Sequence, residues 1–270
     1  DALHVHPIVC RLLAIRGITD YEKANKFFRP DLTDLHDPFL MKGMKNAVTR
    51  IRKAIELHER IMVYGDYDVD GTTSVALVYT FFKTHYPWIE FYIPNRYNEG
   101  YGISTQGIDY AKEHGFTLII ALDCGIKSID KVDYAKSLGI DFIICDHHLP
   151  DEKIPAAVAV LDPKRPDCKY PYKELSGCGI GFKLIQAWSR LHLITMEELR
   201  RYLDLVVVSI ASDIVPITGE NRVMAHFGLQ VMNVNPRPGL KALIDVSKVK
   251  RDLTISDIVF VIGPRINAAG

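Results

Sequence analysis

The stretch Ile143-Ile144-Cys145-Asp146-His147-His148 joins an apolar run directly to one carboxylate and two imidazole side chains. The run Ile61-Met62-Val63-Tyr64-Gly65 likewise leads into Asp66-Tyr67-Asp68-Val69-Asp70-Gly71, and Leu118-Ile119-Ile120-Ala121-Leu122 leads into Asp123. Short continuous apolar runs of this kind are typical of strands that are buried on both faces. We therefore predict three buried strands, each of which delivers acidic side chains at its carboxyl end.

Helical periodicity alternates with the predicted strands through the middle of the chain, with apolar helices predicted at residues 72–84, 128–138 and 177–191. This alternation predicts an α/β fold in which a mostly parallel sheet is covered by helices on both faces. The two ends of the chain carry helical patterns instead. We accordingly divide the chain into a helical N-terminal extension packed on the core (1–58), an α/β catalytic core (59–216) and a helical segment (217–270) that leads to a missing C-terminal region.

The composition of the 270 residues places few limits on function. Lys and Arg together number 33, as do Asp and Glu, so the net charge is zero and gives no whole-chain indication of nucleic acid. The five cysteines show no CxxC spacing, and we predict reduced thiols in a cytoplasmic protein. No apolar run reaches the roughly 20 residues of a membrane helix, so we expect no membrane partner. The chain does not begin with Met, and we expect it to be a fragment of a longer protein.

The acidic residues at the predicted strand ends indicate a metal site. In open parallel sheets ligands bind at the carboxyl edge, and Asp66 and Asp68, two residues apart, can point the same way in an extended turn. Crowded carboxylates raise one another's pKa unless a cation neutralises them. A further acid, Asp213, ends an apolar helical pattern and would be costly to bury without a partner.

Oxygen and imidazole ligands without clustered thiolates favour Mn²⁺ or Mg²⁺ over a structural zinc. Because the acids come from several segments, we predict two ions, which can activate water and stabilise both oxygens of an in-line displacement at phosphorus. Plain structural alternatives stay open for each position. They are a simple turn at Asp68 and Asp70, a helix or turn cap at Asp123 and Asp213, and a surface pair at His147 and His148.

The chain resembles the DHH phosphoesterase superfamily, and within it the bacterial single-strand-specific exonucleases. The resemblance rests on Asp146-His147-His148 and the Asp66 to Gly71 motif, and it extends along the whole chain. The further matching stretches are Arg16-Gly17-Ile18, Asp37-Pro38, Asp123-Cys124-Gly125, Pro94-Asn95-Arg96, Glu99-Gly100-Tyr101-Gly102, Ser176-Gly177-Cys178-Gly179, Ala211-Ser212-Asp213 and Gly263-Pro264-Arg265-Ile266-Asn267. It implies a two-metal nuclease of recombination and repair that removes nucleotides from the 5′ end of single-stranded DNA.

The resemblance also implies roles for individual residues. The implied metal ligands are Asp66, Asp68, Asp123, His147 and Asp213. His148 is expected to touch the scissile phosphate or complete the shell of the second ion. Asp70 and Asp146 are expected behind the ligands as acids that orient them. Arg265 is expected to hold a phosphate, with Asn267 supporting it.

The resemblance further implies a binding site for the 5′-phosphate and the first nucleotides. The expected contacts are Arg96, Tyr101 and the turn Ser176, Gly177 and Gly179, which opens a helix whose N-terminus favours anions. For the turn, the alternative is a helix start with close glycine packing. For Tyr101, plain packing stands beside base stacking.

Two alternative functions remain at this stage. Relatives that act on short substrates place a His four residues before the first Asp of the opening motif, whereas this chain has Met62 there, which favours the exonucleases over hydrolases of small oligonucleotides or cyclic dinucleotides. The second alternative is a non-catalytic replisome scaffold. The presence of all the predicted acids and both histidines argues against it. Single-stranded DNA is the expected substrate, with a helicase or a single-strand-binding protein as the candidate protein partner.

Overall fold

The computed structural model describes residues 5–269. Five strands form a single sheet in the order β2-β1-β3-β4-β5, and every neighbouring pair is parallel. The strands are β1 (Arg60–Gly65), β2 (Ile89–Tyr92), β3 (Phe116–Leu122), β4 (Asp141–Cys145) and β5 (Ala159–Leu161). The three strands predicted to end in acidic residues lie side by side at the centre of this sheet, so their carboxyl ends meet at one edge.

Helices precede, connect and follow the strands. They are α1 (Pro7–Ile15), α2 (Tyr21–Phe28), α3 (Met44–Glu56), α4 (Val69–Lys83), α5 (Thr105–Glu113), α6 (Ile129–Ser137), α7 (Gly177–Leu191), α8 (Met196–Arg200), α9 (Leu203–Ser212), α10 (Gly219–Val234), α11 (Pro238–Ser247), α12 (Ile255–Asp257) and α13 (Gly263–Asn267). Short 3₁₀ turns occupy Leu32–Asp34 and Pro38–Leu40. A π-helical turn, Ile258–Ile262, joins α12 to α13.

Successive residues of each central strand contribute to different apolar clusters. In β3, Leu118, Ile120 and Leu122 pack with α3, α4, α7 and α9, whereas Ile119 and Ala121 pack with α5 and α6. A strand points alternate side chains to opposite faces, and each face needs its own apolar cover. The prediction of a parallel sheet with helices on both faces is therefore confirmed.

The larger apolar cluster runs from the N-terminal extension to the C-terminal helices. It includes Met44 and Ile51 of α3, Leu184 of α7 and Ile262 near the end of the chain. Because these segments share one core, the structure does not separate the predicted divisions 1–58, 59–216 and 217–270, and those boundaries stay a prediction. Within residues 5–269 no helix is long and apolar enough to cross a membrane.

The helix boundaries depart from the predicted ones at two positions near the acidic residues. We predict a helix from residue 72, but α4 starts at Val69 because the carboxylate of Asp68 accepts a hydrogen bond from the Gly71 backbone N–H at 2.8 Å. The apolar helical pattern of residues 256–262 also predicts a last helix that ends at residue 262, but helical structure continues through the π-helical turn to Asn267. A proline cannot donate the usual helical hydrogen bond, and the π-helical turn directly precedes the turn that contains Pro264.

Candidate metal centre

Four strands deliver an aspartate at the same edge of the sheet. Asp66 follows β1, Asp123 follows β3, Asp146 follows β4 and Asp162 follows β5, and all four side chains are buried. Two helices add further acids, since Asp70 lies in the first turn of α4 and Asp213 follows the last residue of α9. The strand ends and the two helices thus concentrate acidic side chains in one place.

The imidazole of His147 lies at the centre of these acids. Its Nε2 atom is 3.2 Å from Asp123 Oδ1, 3.5 Å from Asp213 Oδ2 and 3.8 Å from Asp70 Oδ2. Two sets of three potential ligand atoms each lie within 4.8 Å of one another: Asp123, His147 and His148 form one set, and Asp70, His147 and Asp213 form the other. The two sets share His147, so together they form one cluster of potential ligand atoms around its imidazole.

The hydrogen-bonding of these groups indicates that they need a cation. Among the described residues, Asp123 Oδ1 and both ring nitrogens of His147 are buried without a hydrogen-bond partner. Buried polar atoms are rarely left unpaired. Carboxylate oxygens and imidazole nitrogen together suit Mn²⁺ or Mg²⁺, so these side chains fit a divalent cation.

The pKa shifts have the same origin. Burial raises the pKa of Asp123, and the neighbouring Asp70 and Asp68 raise it further. Burial and Asp70 raise the pKa of Asp213 to about 7, while burial lowers the pKa of His147. A divalent cation would reverse the shifts of the two acids, because it favours carboxylates in their charged form.

Gly177 permits the close approach of α7 to this centre. A Cβ atom at Gly177 would lie 2.6 Å from Asp123 Cβ and 2.7 Å from Asp123 Oδ1, which is shorter than atoms can approach. Asp123 itself adopts a left-handed backbone conformation with φ of 59°, which Asp tolerates better than most residues. The position of the Asp123 carboxylate therefore depends on its own backbone and on the absent side chain at Gly177.

Asp66 and Asp68, the two ligands predicted from the opening motif, lie outside both sets of ligand atoms. Asp66 accepts backbone hydrogen bonds at 2.7 Å from Tyr67 and from Gly102, and burial raises its pKa to about 6. Asp68 caps α4, and its second oxygen accepts a hydrogen bond from the hydroxyl of Tyr101 at 3.3 Å. Three of the five predicted ligands, Asp123, His147 and Asp213, are brought together.

Asp70 and the N-terminus of α7 form a mutual contact. The backbone N–H groups of Gly177 and Cys178 donate to the Asp70 carboxylate at 2.7 and 2.8 Å, and the Ser209 hydroxyl donates at 2.7 Å. A helix N-terminus attracts an anion through its unpaired N–H groups and its dipole. In this structure that anion is an internal carboxylate.

The turn at the start of α7, which is predicted to contact the substrate, lies inside the protein, and that contact stays a prediction. Ser176, Gly177 and Gly179 are buried. The Ser176 hydroxyl accepts from the Gly179 N–H at 3.2 Å and donates to the Ser209 hydroxyl oxygen at 2.6 Å. The polar groups of the turn are thus engaged inside the protein, and the alternative of a helix start with close glycine packing describes the turn.

Asp146 is fully engaged behind the two histidines. Its Oδ1 accepts from the backbone N–H groups of His147 and His148 and lies 2.7 Å from His148 Nδ1, while its Oδ2 accepts from the Ile126 N–H at 2.9 Å. Burial alone would raise the pKa of Asp146, but the hydrogen bond with His148 and the backbone donors bring it below its ordinary value. The same contact raises the pKa of His148. This arrangement leaves the Nε2 atom of His148 for other partners.

The predicted substrate contacts lie on one side of the centre. Asp68, Asp213 and Asn267 line a cleft of about 360 Å³ beside it. Arg96 stacks 4.5 Å above the ring of Tyr67, and Tyr101 packs edge-on against the same ring with 56% of its surface exposed. Arg96 also donates to the backbone carbonyl of Asn267 at 3.5 Å.

Arg265 is exposed and does not line this cleft. Its guanidinium donates to the carbonyl oxygen of Val261 on the preceding helical turn at 2.6 Å. The structure therefore brings Asn267 to the edge of the centre and holds the Arg265 guanidinium on the preceding helical turn, while the contact of Arg265 with a phosphate stays a prediction.

Three residues near the centre escaped the sequence analysis. Asp162 follows β5 just as Asp123 follows β3, so the same pattern of a strand followed by an acid would have found it. Ser209 is a polar residue inside the apolar helix α9, which is a signal of a buried contact. Lys164 carried no signal, because a single lysine in a polar stretch is ordinary.

Residues 60–210 match the family model described as "DHH family, N-terminal domain". The chain belongs to the DHH family. The matched range contains the strand ends that carry Asp123, His147 and His148, and Asp213 follows it by three residues.

Relatives of this DHH chain include two proteins named single-stranded-DNA-specific exonuclease RecJ. The Bacillus subtilis protein is 41% identical over 271 residues, which cover 100% of this chain and 34% of that protein. The Escherichia coli protein is 36% identical over 276 residues, which cover 98% of this chain and 47% of that protein. The chain thus spans about a third to a half of the length of these relatives.

Two solved structures have the same fold. A crystal structure of exonuclease RecJ bound to manganese superposes with a TM-score of 0.78 at 28% identity, covering 88% of this chain and 59% of that one. RecJ in complex with Mn²⁺ from Thermus thermophilus superposes with a TM-score of 0.79 at 26% identity, covering 95% of this chain and 36% of that one. Both of those RecJ proteins are described with manganese bound.

Proposed function

We propose that this chain is the catalytic core of a metal-dependent exonuclease that hydrolyses the phosphodiester bonds of single-stranded DNA from the 5′ end. The observation that carries the proposal is the buried cluster in which Asp123 Oδ1 and the His147 nitrogens have no partner within the described residues. The names of the relatives and the manganese in the related structures support the substrate and the cofactor. The direction of degradation rests on the family resemblance.

Two Mn²⁺ or Mg²⁺ ions are the proposed cofactor. Asp123, His147 and Asp213 are the ligands on which the sequence and the geometry agree, while Asp66 and Asp68 remain proposed ligands from the resemblance. When bound, such ions activate water and stabilise the charge that develops on the phosphate oxygens. Protons should compete with the metal ions for Asp66 and Asp213, because the pKa values of both carboxyl groups are raised and a protonated carboxyl group is a poor ligand.

The residues around the proposed ions have supporting roles. Asp146 fixes the ring of His148 through Nδ1, which leaves Nε2 of His148 to touch the scissile phosphate or to complete the shell of the second ion. Asp70, bonded to the start of α7, holds that helix against the cluster. Arg96, Tyr101 and Asn267 line or flank the adjoining cleft and are proposed contacts for the strand. Arg265 joins them only after it releases the carbonyl of Val261.

The cellular setting belongs to the same proposal. A role in recombination and repair, a cytoplasmic location and cooperation with a helicase or a single-strand-binding protein follow from the resemblance. All five cysteines lie among the described residues as free thiols, which suits a reducing compartment.

The test uses a single-stranded oligonucleotide labelled at its 5′ or its 3′ end. With Mn²⁺ or Mg²⁺ the parent protein should release the 5′ label as a mononucleotide at once, while the 3′-labelled strand shortens progressively. The variant Asp123→Asn should release neither label, and the parent should be inactive in EDTA. Cleavage confined to strands of two or three nucleotides would instead identify a small-oligonucleotide hydrolase, and failure to bind either metal would identify a scaffold.

A further inference from the structure

A second cleft opens on the β5 side of the cluster, away from the one that contains Asn267. It has a volume of about 510 Å³, and its walls include Leu149, Lys164, Arg165, Lys173 and Glu174. Leu149 directly follows His148 and is 70% exposed. The cleft therefore begins next to the histidines of the proposed metal centre, and it is lined by three cations and one acid among these five residues.

Two of the three cations in this cleft are engaged within the protein. The Arg165 guanidinium donates to the Asp167 carboxylate and to the carbonyl oxygen of Val160. The ammonium of Lys173 donates to the carbonyl oxygen of Cys168 at 2.7 Å. Both side chains therefore stabilise the loop that follows β5.

Lys164 differs from these two cations. Its Nζ atom makes no hydrogen bond within residues 5–269, and its nearest carboxylate oxygen, Oε2 of Glu174, is 3.9 Å away. The side chain as a whole is 19% exposed, and among the described residues its ammonium has no protein partner closer than that carboxylate. An ammonium in that position is available to an incoming anion, because three donors remain unpaired.

The backbone places Lys164 against the centre. Its N–H donates to Asp162 Oδ1 at 2.7 Å directly after β5, and the other Asp162 oxygen is buried without a partner among the described residues. The turn follows β5, which pairs with β4, the strand that leads into Asp146, His147 and His148. A fixed turn thus holds a cation within electrostatic reach of the acids.

We propose that Lys164 binds a backbone phosphate of the single strand on the β5 side of the metal centre. This inference rests on the proposed function, because it assigns part of the path of the same substrate. The acidic cluster itself repels DNA, and the chain as a whole is neutral, so binding requires local cations. A lysine is a point charge that suits a single phosphate oxygen, and the exposed Leu149 beside it offers an apolar contact to a base or sugar.

The salt dependence of DNA binding tests this role directly. The affinity of a fluorescein-labelled oligothymidylate is measured by anisotropy over a series of NaCl concentrations, in EDTA so that no cleavage occurs. Loss of one phosphate contact should reduce the slope of log affinity against log salt by about 0.7 for a single strand. Lys164→Gln should show this reduction and weaker binding, and Lys164→Arg should restore the slope.

Lys173→Gln is the matched control, since it removes a cation from the same cleft whose ammonium is already engaged. It should leave the slope at the parent value. An unchanged slope in Lys164→Gln, an equal change in both glutamine variants, or no binding by the parent would each overturn the proposal for Lys164. Release of nucleotides by the parent protein with Mn²⁺ is scored separately, so that a failure of the exonuclease proposal is recognised independently of the salt slopes.

Discussion

Asp123 and Asp146 occupy equivalent places in the fold and have opposite surroundings. They directly follow the neighbouring strands β3 and β4, and each is 1% exposed. Asp146 accepts hydrogen bonds from three backbone N–H groups and contacts the His148 ring. Asp123 Oδ1 has no hydrogen-bond partner among the described residues and faces the Nε2 atom of His147 at 3.2 Å.

The comparison shows that burial alone does not identify a metal ligand. Both carboxylates lose the same hydration, but the pKa of Asp146 is below its ordinary value whereas that of Asp123 is raised. The difference lies in the donors, because hydrogen bonds to a carboxylate favour its charged form. Asp146 is therefore stabilised by the protein itself, whereas Asp123 lacks such donors among the described residues and is the carboxylate for which we propose a cation.

The replacement Asp123→Asn should have the largest effect on activity. Removal of one ligand costs several kcal/mol of the stabilisation that a metal ion gives to the transition state, which corresponds to roughly a 1,000-fold slower release of 5′-labelled nucleotides with Mn²⁺. Thermal unfolding in EDTA should show equal or greater stability than the parent, because the amide replaces an acid that is difficult to ionise. A clear loss of stability in EDTA would contradict this view of Asp123.

The same replacement at the neighbouring strand, Asp146→Asn, should act mainly on stability. The NH₂ group of the asparagine must face either the Ile126 N–H or the backbone N–H groups of the two histidines. Two buried hydrogen-bond donors then face each other without an acceptor. We expect the free energy of unfolding in urea to fall by about 3 kcal/mol. Activity should fall about 10- to 100-fold, because the ring of His148 loses its orientation. If Asp146→Asn and Asp123→Asn behave alike in EDTA, the contrast between the two aspartates is wrong.

Gly177→Ala should disturb the position of the Asp123 carboxylate and leave the contacts of Asp146 unchanged. The new Cβ would lie 2.6 Å from Asp123 Cβ, so α7 or the carboxylate must move, and overpacking of this kind costs about 1–3 kcal/mol. Urea unfolding and the Mn²⁺ concentration for half-maximal activity measure the two effects. Gly239→Ala in α11 is the control, because nothing lies within 4 Å of its added Cβ and we expect it to be neutral or slightly stabilising.

The smallest effect concerns pH. Asp66 and Asp213 have pKa values raised from 3.8 to about 6 and about 7, so the metal-free protein is favoured below pH 4 and loses stability as pH rises through 4–7. A bound cation stabilises the ionised form instead. The increase in melting temperature on adding Mn²⁺ should therefore grow by several degrees between pH 5 and 8. This Mn²⁺-induced increase in melting temperature should depend less on pH in Asp123→Asn. If the increase in the parent protein is independent of pH, Asp66 and Asp213 are not ligands.

The fold could be predicted from sequence where patterns are local. The apolar runs predicted β1, β3 and β4 closely, since this signal involves only neighbouring residues. The short helix α8 and the extension of the last helix to Asn267 were missed. The first contains only five residues, and the second crosses Pro264, which ordinarily ends a helix.

The site could be predicted only in part, because hydrogen-bond partners are not visible in sequence. The pattern of strands followed by acids gave Asp123 and His147, and Asp213 followed from an acid at the end of an apolar helix. The same pattern did not distinguish Asp66 and Asp68 from Asp123. In the structure the carboxylates of Asp66 and Asp68 accept hydrogen bonds from backbone N–H groups and from the Tyr101 hydroxyl. The resemblance placed the 5′-phosphate at the start of α7, and no sequence pattern indicated that the Asp70 carboxylate, more than 100 residues away, accepts hydrogen bonds from the Gly177 and Cys178 N–H groups.

The sequence by itself determined the parallel sheet, the edge at which the acids gather and the chemistry of oxygen and imidazole ligands. These follow from side-chain type and from the direction of each strand, which adjacent residues encode. Only the tertiary structure decided that Asp146 is an internal anchor, that Asp70 is bound by α7 and that Lys164 is left with open donors. Each of those outcomes depends on which donors and acceptors from distant segments lie within about 3 Å of one another, because hydrogen bonds form at that distance.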